Sequence, residues 1–129
     1  MEVKQISAAL GAEITNVDLS QVSDDQVEEI KSLLTEHKVI FFPGQKLSQD
    51  EHVEYGAKFG ELEGHPNLKN KTVTHPKIFE LAASSGGIAD EWHTDITFQD
   101  SPAIMSVLHM VKCPELGGDT MWSNLNAAY

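Results

Sequence analysis

The sequence predicts an α+β fold in which helices pack against a largely antiparallel sheet. Two early segments carry helix-capping signals with apolar residues at helical spacing, whereas short β-branched and apolar runs dominate later. Helices gathered at one end and strands at the other are typical of α+β domains rather than of alternating α/β folds. With 129 residues, the chain is expected to form one domain.

The first predicted elements are a short strand and a helix. Residues 12–19 alternate roughly between apolar and polar side chains, which indicates a strand with one buried face. Ser23 and Gln26 then have the spacing of a capping box, in which each side chain bonds the other's backbone N–H. Apolar residues follow at helical spacing, so a helix is expected over about 24–36.

The next pair of predicted elements repeats this order. Residues 38–42 form a compact β-branched and aromatic run that a Pro-Gly pair ends, which predicts a buried strand before a turn. Ser48 and Glu51 form a second candidate capping box. The helix that they begin should run to about residue 59 and end at Gly60, since glycine favours helix C-termini.

Strands are predicted in the second half of the chain. Residues 78–82, 103–111 and 120–122 are short apolar or β-branched segments bounded by turn-forming residues. Ser123 is placed to cap a third, short helix near residue 129.

Composition excludes some functions. The formal net charge of −11 repels phosphate backbones, so nucleic-acid binding is not expected. No apolar run is long enough to span a membrane, and the N-terminus lacks a signal-peptide pattern, so a cytoplasmic protein is expected. All nine basic residues are lysines. Residues 1–129 therefore contain no arginine, the side chain that usually binds a carboxylate co-substrate through two parallel hydrogen bonds.

The motif with the clearest chemistry is His93-Thr94-Asp95. Residues two apart on a strand point to one face, so the imidazole and the carboxylate would be directed at one point. Together they suit Fe(II) and leave coordination positions open. By itself the motif is common, and the alternative is a surface turn with a capping aspartate. Trp92 and Trp122 are expected in the core rather than at a substrate site.

Residues 91–98 resemble the iron-binding segment of the TauD/TfdA family of Fe(II)- and 2-oxoglutarate-dependent dioxygenases, the taurine dioxygenase group. Residues 38–45, 59–66 and 117–122 resemble other family segments in the same order and spacing. The resemblance covers essentially the whole chain but only the N-terminal part of the family's domain. It implies that residues 1–129 are the N-terminal portion of a single, apparently truncated domain of this type. The implied fold is part of a double-stranded β-helix (jelly roll, clavaminate synthase-like) with flanking helices.

The resemblance also implies a role for five residues. His93 and Asp95 match iron ligands, and Thr120 matches the hydroxyl residue that binds a 2-oxoglutarate carboxylate. His65 matches a position that contacts the acidic head group of the substrate, and Ile96 matches an apolar position of the substrate pocket. The alternative interpretations are structural: Thr120 as an ordinary strand residue, His65 as a solvent-facing loop residue and Ile96 as a core residue.

The implied reaction uses O2 and 2-oxoglutarate at Fe(II) and releases succinate and CO2 while a small acidic substrate is hydroxylated. Taurine-specific members carry an aromatic residue after the His-Pro pair and an amide side chain before the iron histidine. Here Asn67, Leu68 and Ala89 stand near those places, which favours an alkyl sulfonate, an alkyl sulfate ester or a small carboxylate over taurine itself.

The family's third iron ligand and its 2-oxoglutarate arginine lie further on than Tyr129. The alternative interpretation is therefore a non-catalytic truncated remnant, or one half of a split protein that requires a partner chain. A further alternative interpretation is a cupin-like metal protein that binds zinc or manganese. Unpaired strand edges would favour a homo-oligomer or a partner chain that covers them.

Overall fold

The computed structural model describes residues 1–64, 75–82 and 90–129. These residues belong to two compact units. The first unit comprises Met1–Gly60 and Met110–Tyr129, and the second comprises Glu61–His109. Within the described ranges, no helix is long and apolar enough to cross a membrane.

The first unit contains a three-stranded sheet in the order β1-β2-β3. The strands are β1 (Glu2–Gln5), β2 (Ala12–Thr15) and β3 (Ile40–Phe41). β1 pairs antiparallel with β2, and β2 pairs parallel with β3. The sheet is therefore mixed: the predicted antiparallel pairing holds for β1 and β2, whereas the helix between β2 and β3 makes the crossover that a parallel pair requires.

Gly11 lies where the chain enters β2. Its φ of +98° is in the left-handed region, and a Cβ built there would lie 3.1 Å from Ile6 Cγ1. The Gly11 N–H donates to the carbonyl oxygen of His37 at 2.8 Å, and its own carbonyl accepts from the Ile6 N–H at 3.0 Å. The backbone conformation therefore favours glycine here, and any larger residue would also require the Ile6 side chain to shift by a few tenths of an ångström.

Helix α1 spans Asp24–His37, which confirms the predicted helix almost to the residue. The predicted capping box is present: Ser23 Oγ accepts from the Gln26 N–H, and Gln26 Oε1 accepts from the Ser23 N–H. Val27 and Ile30 are the buried residues of this helix. Their spacing places them on one face.

Helix α2 spans Gln49–Ala57, and its predicted capping box is also present. Ser48 Oγ accepts from the Glu51 N–H, and the Glu51 carboxylate accepts from the Ser48 N–H at 2.8 Å. The hydrogen bond from the Ser48 backbone lowers the pKa of Glu51, since it stabilises the ionised carboxylate. The chain leaves the helix through Gly60, as expected, although the helix itself ends two residues earlier than predicted.

The hydrophobic core of the described residues lies in the first unit. It combines side chains from β2, from the two helices and from the connecting segments. Tyr55 packs edge to face on Phe59, with ring centroids 5.1 Å apart. The buried residues are Ala12, Ile14, Leu19, Val22, Val27, Ile30, Tyr55 and Phe59.

Burial of Tyr55 makes stability depend on alkaline pH. The ring is 3% exposed, and its burial raises the pKa of Tyr55 from 10.0 to about 12. The fold favours the neutral phenol. The contribution of Tyr55 to the free energy of unfolding is therefore complete below pH 10 and is lost as the pH rises from 10 towards 12. We expect the free energy of unfolding to fall by about 1 kcal/mol between pH 9 and 11 from this group.

Urea unfolding at pH 9 and 11 tests this expectation, with Tyr55→Phe as the control that lacks the ionisable group. Absorbance titration of Tyr129→Phe reports Tyr55 alone, because the chain has two tyrosines. Ionisation of Tyr55 near pH 10 in the folded protein would contradict the prediction.

A short helix, α3, spans Leu125–Ala128. Its cap is Asn124 rather than the predicted Ser123: Asn124 Oδ1 accepts from the Ala127 N–H at 3.1 Å. The same side chain donates through Nδ2 to the carbonyl oxygen of Ala9 at 2.6 Å. An amide side chain can accept a hydrogen bond through its oxygen and donate one through its nitrogen. Asn124 can therefore cap the helix and bind the Ala9 carbonyl at the same time.

The strands predicted at 78–82, 103–111 and 120–122 are wrong, since these segments have irregular backbone in the structure. A strand needs a neighbour to satisfy its N–H and C=O groups. No paired strand forms in these segments within the described residues, and several of their apolar side chains are open to solvent. Ile104 is 84% exposed and Val111 is 87% exposed.

Candidate functional site

The backbone at His93 is irregular, and the chain bends at Asp95 into a turn over residues 96–99. The Gln99 N–H donates to the carbonyl oxygen of Ile96 at 3.1 Å. The hydroxyls of Thr94 and Thr97 are hydrogen-bonded at 2.5 Å. The prediction that the motif lies on a strand is therefore wrong, because local side-chain and turn bonds replace ladder pairing here.

The two predicted ligand side chains nevertheless come together. His93 Nε2 lies 3.3 Å from Asp95 Oδ1. The side chains are 58% and 66% exposed, so a solvent ion can reach them. When His93 is protonated the same pair is an ion pair, and an exposed ion pair contributes little to stability.

The ring of His93 is oriented by its own backbone. Nδ1 lies 2.8 Å from the carbonyl oxygen of Glu91. Because a carbonyl oxygen only accepts, Nδ1 must carry the hydrogen, and in the neutral ring Nε2 then presents its lone pair. Histidine ligands of metals commonly donate their second ring N–H to a backbone carbonyl in this way.

The carboxylate of Asp95 has two different neighbours. Oδ1 faces His93 Nε2, whereas Oδ2 accepts a hydrogen bond from Ser106 Oγ at 3.4 Å. All of these residues belong to the second unit.

The separation of the two side-chain atoms is compatible with two donors to one Fe(II) ion. Two ligands at about 2.1 Å from one metal and at a right angle lie roughly 3.0 Å apart, close to the Nε2–Oδ1 separation of 3.3 Å. One imidazole and one carboxylate are also the donor types of iron oxygenase centres. The described residues contain no group of three His, Cys, Asp or Glu placed to hold a metal ion.

Thr120 is exposed and belongs to the first unit, so its predicted contact with 2-oxoglutarate stays a prediction. The glycines before it adopt left-handed backbone: Gly117 has a φ of +76° and Gly118 a φ of +71°. His65 lies outside the described residues, and its predicted role also stays a prediction.

Ile96 is half-buried directly after the candidate ligand Asp95. Its φ of +45° is in the left-handed region, which is unfavourable for a β-branched side chain. Such strain persists only where surrounding contacts hold it, and it is common at binding sites. The predicted place of Ile96 in a substrate pocket stays a prediction.

The structure adds two groups that sequence reasoning missed, the Glu91 carbonyl and the Ser106 hydroxyl. Ser106 is the one polar residue in 102–108. A single hydroxyl in an otherwise apolar segment is the sequence feature that could have indicated its role. The expectation that Trp92 is a core residue is wrong, since its side chain is 68% exposed on an irregular segment. Trp122 is 42% exposed and packs edge to face on Phe41, with ring centroids 5.3 Å apart.

The comparison with protein families decides the assignment. The family model described as "Taurine catabolism dioxygenase TauD, TfdA family" matches residues 2–129. The chain belongs to the TauD/TfdA family. The resemblance inferred from the sequence motifs is therefore confirmed.

Two similar relatives have names that refer to alkyl sulfates or sulfate esters. The chain is 40% identical over 134 residues to an alkylsulfatase of Acinetobacter baylyi, covering 100% of this chain and 41% of the relative. It is 40% identical over 131 residues to an alpha-ketoglutarate-dependent sulfate ester dioxygenase of Pseudomonas putida, covering 100% of this chain and 43% of the relative. The chain thus spans less than half the length of either relative.

A solved TauD-like structure shares the fold. The crystal structure of a putative alpha-ketoglutarate-dependent taurine dioxygenase from Burkholderia xenovorans matches with a TM-score of 0.55 and 41% identity. The match covers 60% of this chain and 28% of the crystallised chain. The mixed arrangement of helices and strands therefore matches part of a TauD-like dioxygenase.

Proposed function

We propose that this protein is an Fe(II)- and 2-oxoglutarate-dependent dioxygenase that hydroxylates an alkyl sulfate ester. The observation that carries the proposal is the approach of His93 Nε2 to Asp95 Oδ1 at 3.3 Å in a chain of the TauD/TfdA family. Residues 1–129 form part of one dioxygenase domain of the jelly-roll type.

Each predicted residue has a distinct task in this proposal. His93 and Asp95 hold Fe(II) through Nε2 and Oδ1. The hydroxyl of Thr120 donates to a carboxylate of 2-oxoglutarate, His65 donates to the acidic head group of the substrate, and Ile96 contacts its alkyl part. When bound, the metal supplies oxidation by O2, which converts 2-oxoglutarate to succinate and CO2 and hydroxylates the substrate.

The substrate class follows from the relatives and from the chemistry. Both relatives at 40% identity are named for sulfate esters. Hydroxylation at the carbon that bears the sulfate gives an unstable product, which breaks its C–O bond to release sulfate and an aldehyde. Asn67, Leu68 and Ala89 stand near the places where taurine-specific members carry an aromatic residue and an amide side chain, so taurine is the weaker candidate.

A second candidate function is a non-catalytic portion, or one half of a split protein. Large apolar side chains that are exposed in the described residues favour it, because such surface normally contacts other protein. Leu108 is 71% exposed and Leu116 is 90% exposed. In a split protein, a partner chain covers these apolar residues and supplies the third iron ligand.

The proposal is tested by product analysis with Fe(II), 2-oxoglutarate and O2. The native protein from its source cells and the 129-residue chain are each given hexyl sulfate, hexanesulfonate or taurine. We expect the native protein to form succinate and sulfate in equal amounts, at least about tenfold faster with hexyl sulfate than with taurine.

Each outcome separates the candidate functions. Substrate-dependent succinate from taurine alone would overturn the sulfate ester assignment. No succinate above a metal-free control from the native protein would overturn the dioxygenase proposal. Activity that appears only when a second chain is added would identify a split enzyme.

A further inference from the structure

We infer that Ser106 is a positioning residue, which acts on the metal by holding the carboxylate of Asp95 in one orientation. This inference rests on the proposed function, because it concerns the same metal site. It adds a residue that neither the motif nor the spacing of the iron ligands indicates.

The contacts of Asp95 divide its carboxylate into two parts. Ser106 Oγ donates to Oδ2 at 3.4 Å, while Oδ1 lies 3.3 Å from His93 Nε2. With Oδ2 engaged by the hydroxyl, Oδ1 is the oxygen left for a metal held jointly with His93. The arrangement therefore favours ligation through a single oxygen.

The distance is longer than the usual O–H···O separation of about 2.7–2.8 Å. Hydrogen bonds at catalytic sites are often long before ligands bind, and they shorten in the complex. The length therefore agrees with a bond that tightens when Oδ1 takes up the metal. A contact this long also adds little to stability without the metal, so its removal should leave the fold intact.

Burial alternates along the segment that carries Ser106. Met105 and Val107 on either side are half-buried, whereas Ser106 itself is exposed. The hydroxyl therefore lies on the more exposed side of this segment. Ser106 is 11 residues from Asp95 in sequence, so the bond joins two separate segments of the second unit.

Loss of the hydroxyl should weaken the metal site without removing a ligand. A carboxylate freed at Oδ2 can rotate, and Oδ1 then no longer stays beside His93 Nε2. Outer partners of metal ligands typically contribute about 10–100-fold to metal affinity. For one long hydrogen bond we expect the lower end, a loss of about tenfold.

The test is an anaerobic titration of the full chain with Mn(II), which prefers oxygen and nitrogen ligands and broadens nearby NMR signals. The His93 ring resonances report binding at the site directly. We expect Ser106→Ala to weaken Mn(II) binding about tenfold, and Ser106→Thr, which keeps the hydroxyl, to bind within about twofold of the wild type. The matched control Ser101→Ala removes a nearby exposed hydroxyl and should leave the affinity unchanged.

Ser106→Val guards against a misfolded alanine variant, because it has the branched shape of the Ser106→Thr variant but no hydroxyl. It should bind Mn(II) as weakly as Ser106→Ala. Wild-type affinity in both variants, with broadening of His93 retained, would overturn the role of Ser106 and leave the metal site standing. No broadening of His93 in the wild type would overturn the metal site itself.

Discussion

Asp95→Ala and His93→Ala should each abolish Fe(II)-dependent succinate formation by the native protein. In both variants one of two donors that lie 3.3 Å apart is removed, so the metal loses a direct ligand. Loss of an outer partner alone typically costs about 10–100-fold in metal affinity, so loss of a ligand should cost at least about 100-fold. Succinate formed per minute under saturating 2-oxoglutarate measures the effect.

Two control variants remove the same chemical groups elsewhere. Asp100→Ala removes an exposed carboxylate five residues after Asp95, and His52→Ala removes an imidazole from helix α2. Both should keep near wild-type turnover. Turnover retained in Asp95→Ala, with wild-type Fe(II) dependence, would show that the metal is held elsewhere.

Ile30→Ala should lower the free energy of unfolding of the first unit by about 3 kcal/mol. Ile30 is 1% exposed and is one of the two largest fully buried side chains in the described residues. Removal of a buried isoleucine to alanine costs about 2–5 kcal/mol, because apolar contacts are lost and a cavity remains. This is a large part of the roughly 5–15 kcal/mol that stabilises a typical domain.

Urea unfolding followed by the helical circular dichroism signal measures the change. Glu29→Ala is the matched control, since Glu29 is the exposed preceding residue of the same helix. It should change stability by less than about 0.5 kcal/mol. A loss below about 1 kcal/mol for Ile30→Ala would contradict the described core.

The helices could be predicted from the sequence because their signals are local. A capping box needs only two residues three apart, and both Ser23 with Gln26 and Ser48 with Glu51 form the expected reciprocal bonds. Apolar spacing then identified the buried face that carries Ile30. None of these features depends on a distant part of the chain.

The strands were less predictable because pairing is not local. β1 (Glu2–Gln5) is exposed along its length, so it lacks the alternation of burial that would identify it. It forms because β2 offers an antiparallel partner, in which Val3 lies opposite Ile14. Residues 103–111 show the reverse case: the apolar pattern is present, but the segment has irregular backbone.

The candidate site was predicted in part. Residue type and spacing identified His93 and Asp95, and the two side chains do approach each other. The strand that explained their approach is replaced by a turn around Ile96. The contacts from the Glu91 carbonyl and from Ser106 depend on side-chain rotation and on a segment 11 residues away, which spacing alone does not encode.

Whether His93 and Asp95 hold one metal ion together is decided most directly by mapping Mn(II) on all six histidines of the chain. Substoichiometric Mn(II) is added under anaerobic conditions, and the broadening of each histidine ring signal is compared between the wild type and Asp95→Ala. We predict that the His93 signal broadens first in the wild type and that this effect disappears in Asp95→Ala. Earlier broadening of another histidine, or broadening of His93 that does not depend on Asp95, would contradict the proposed metal site.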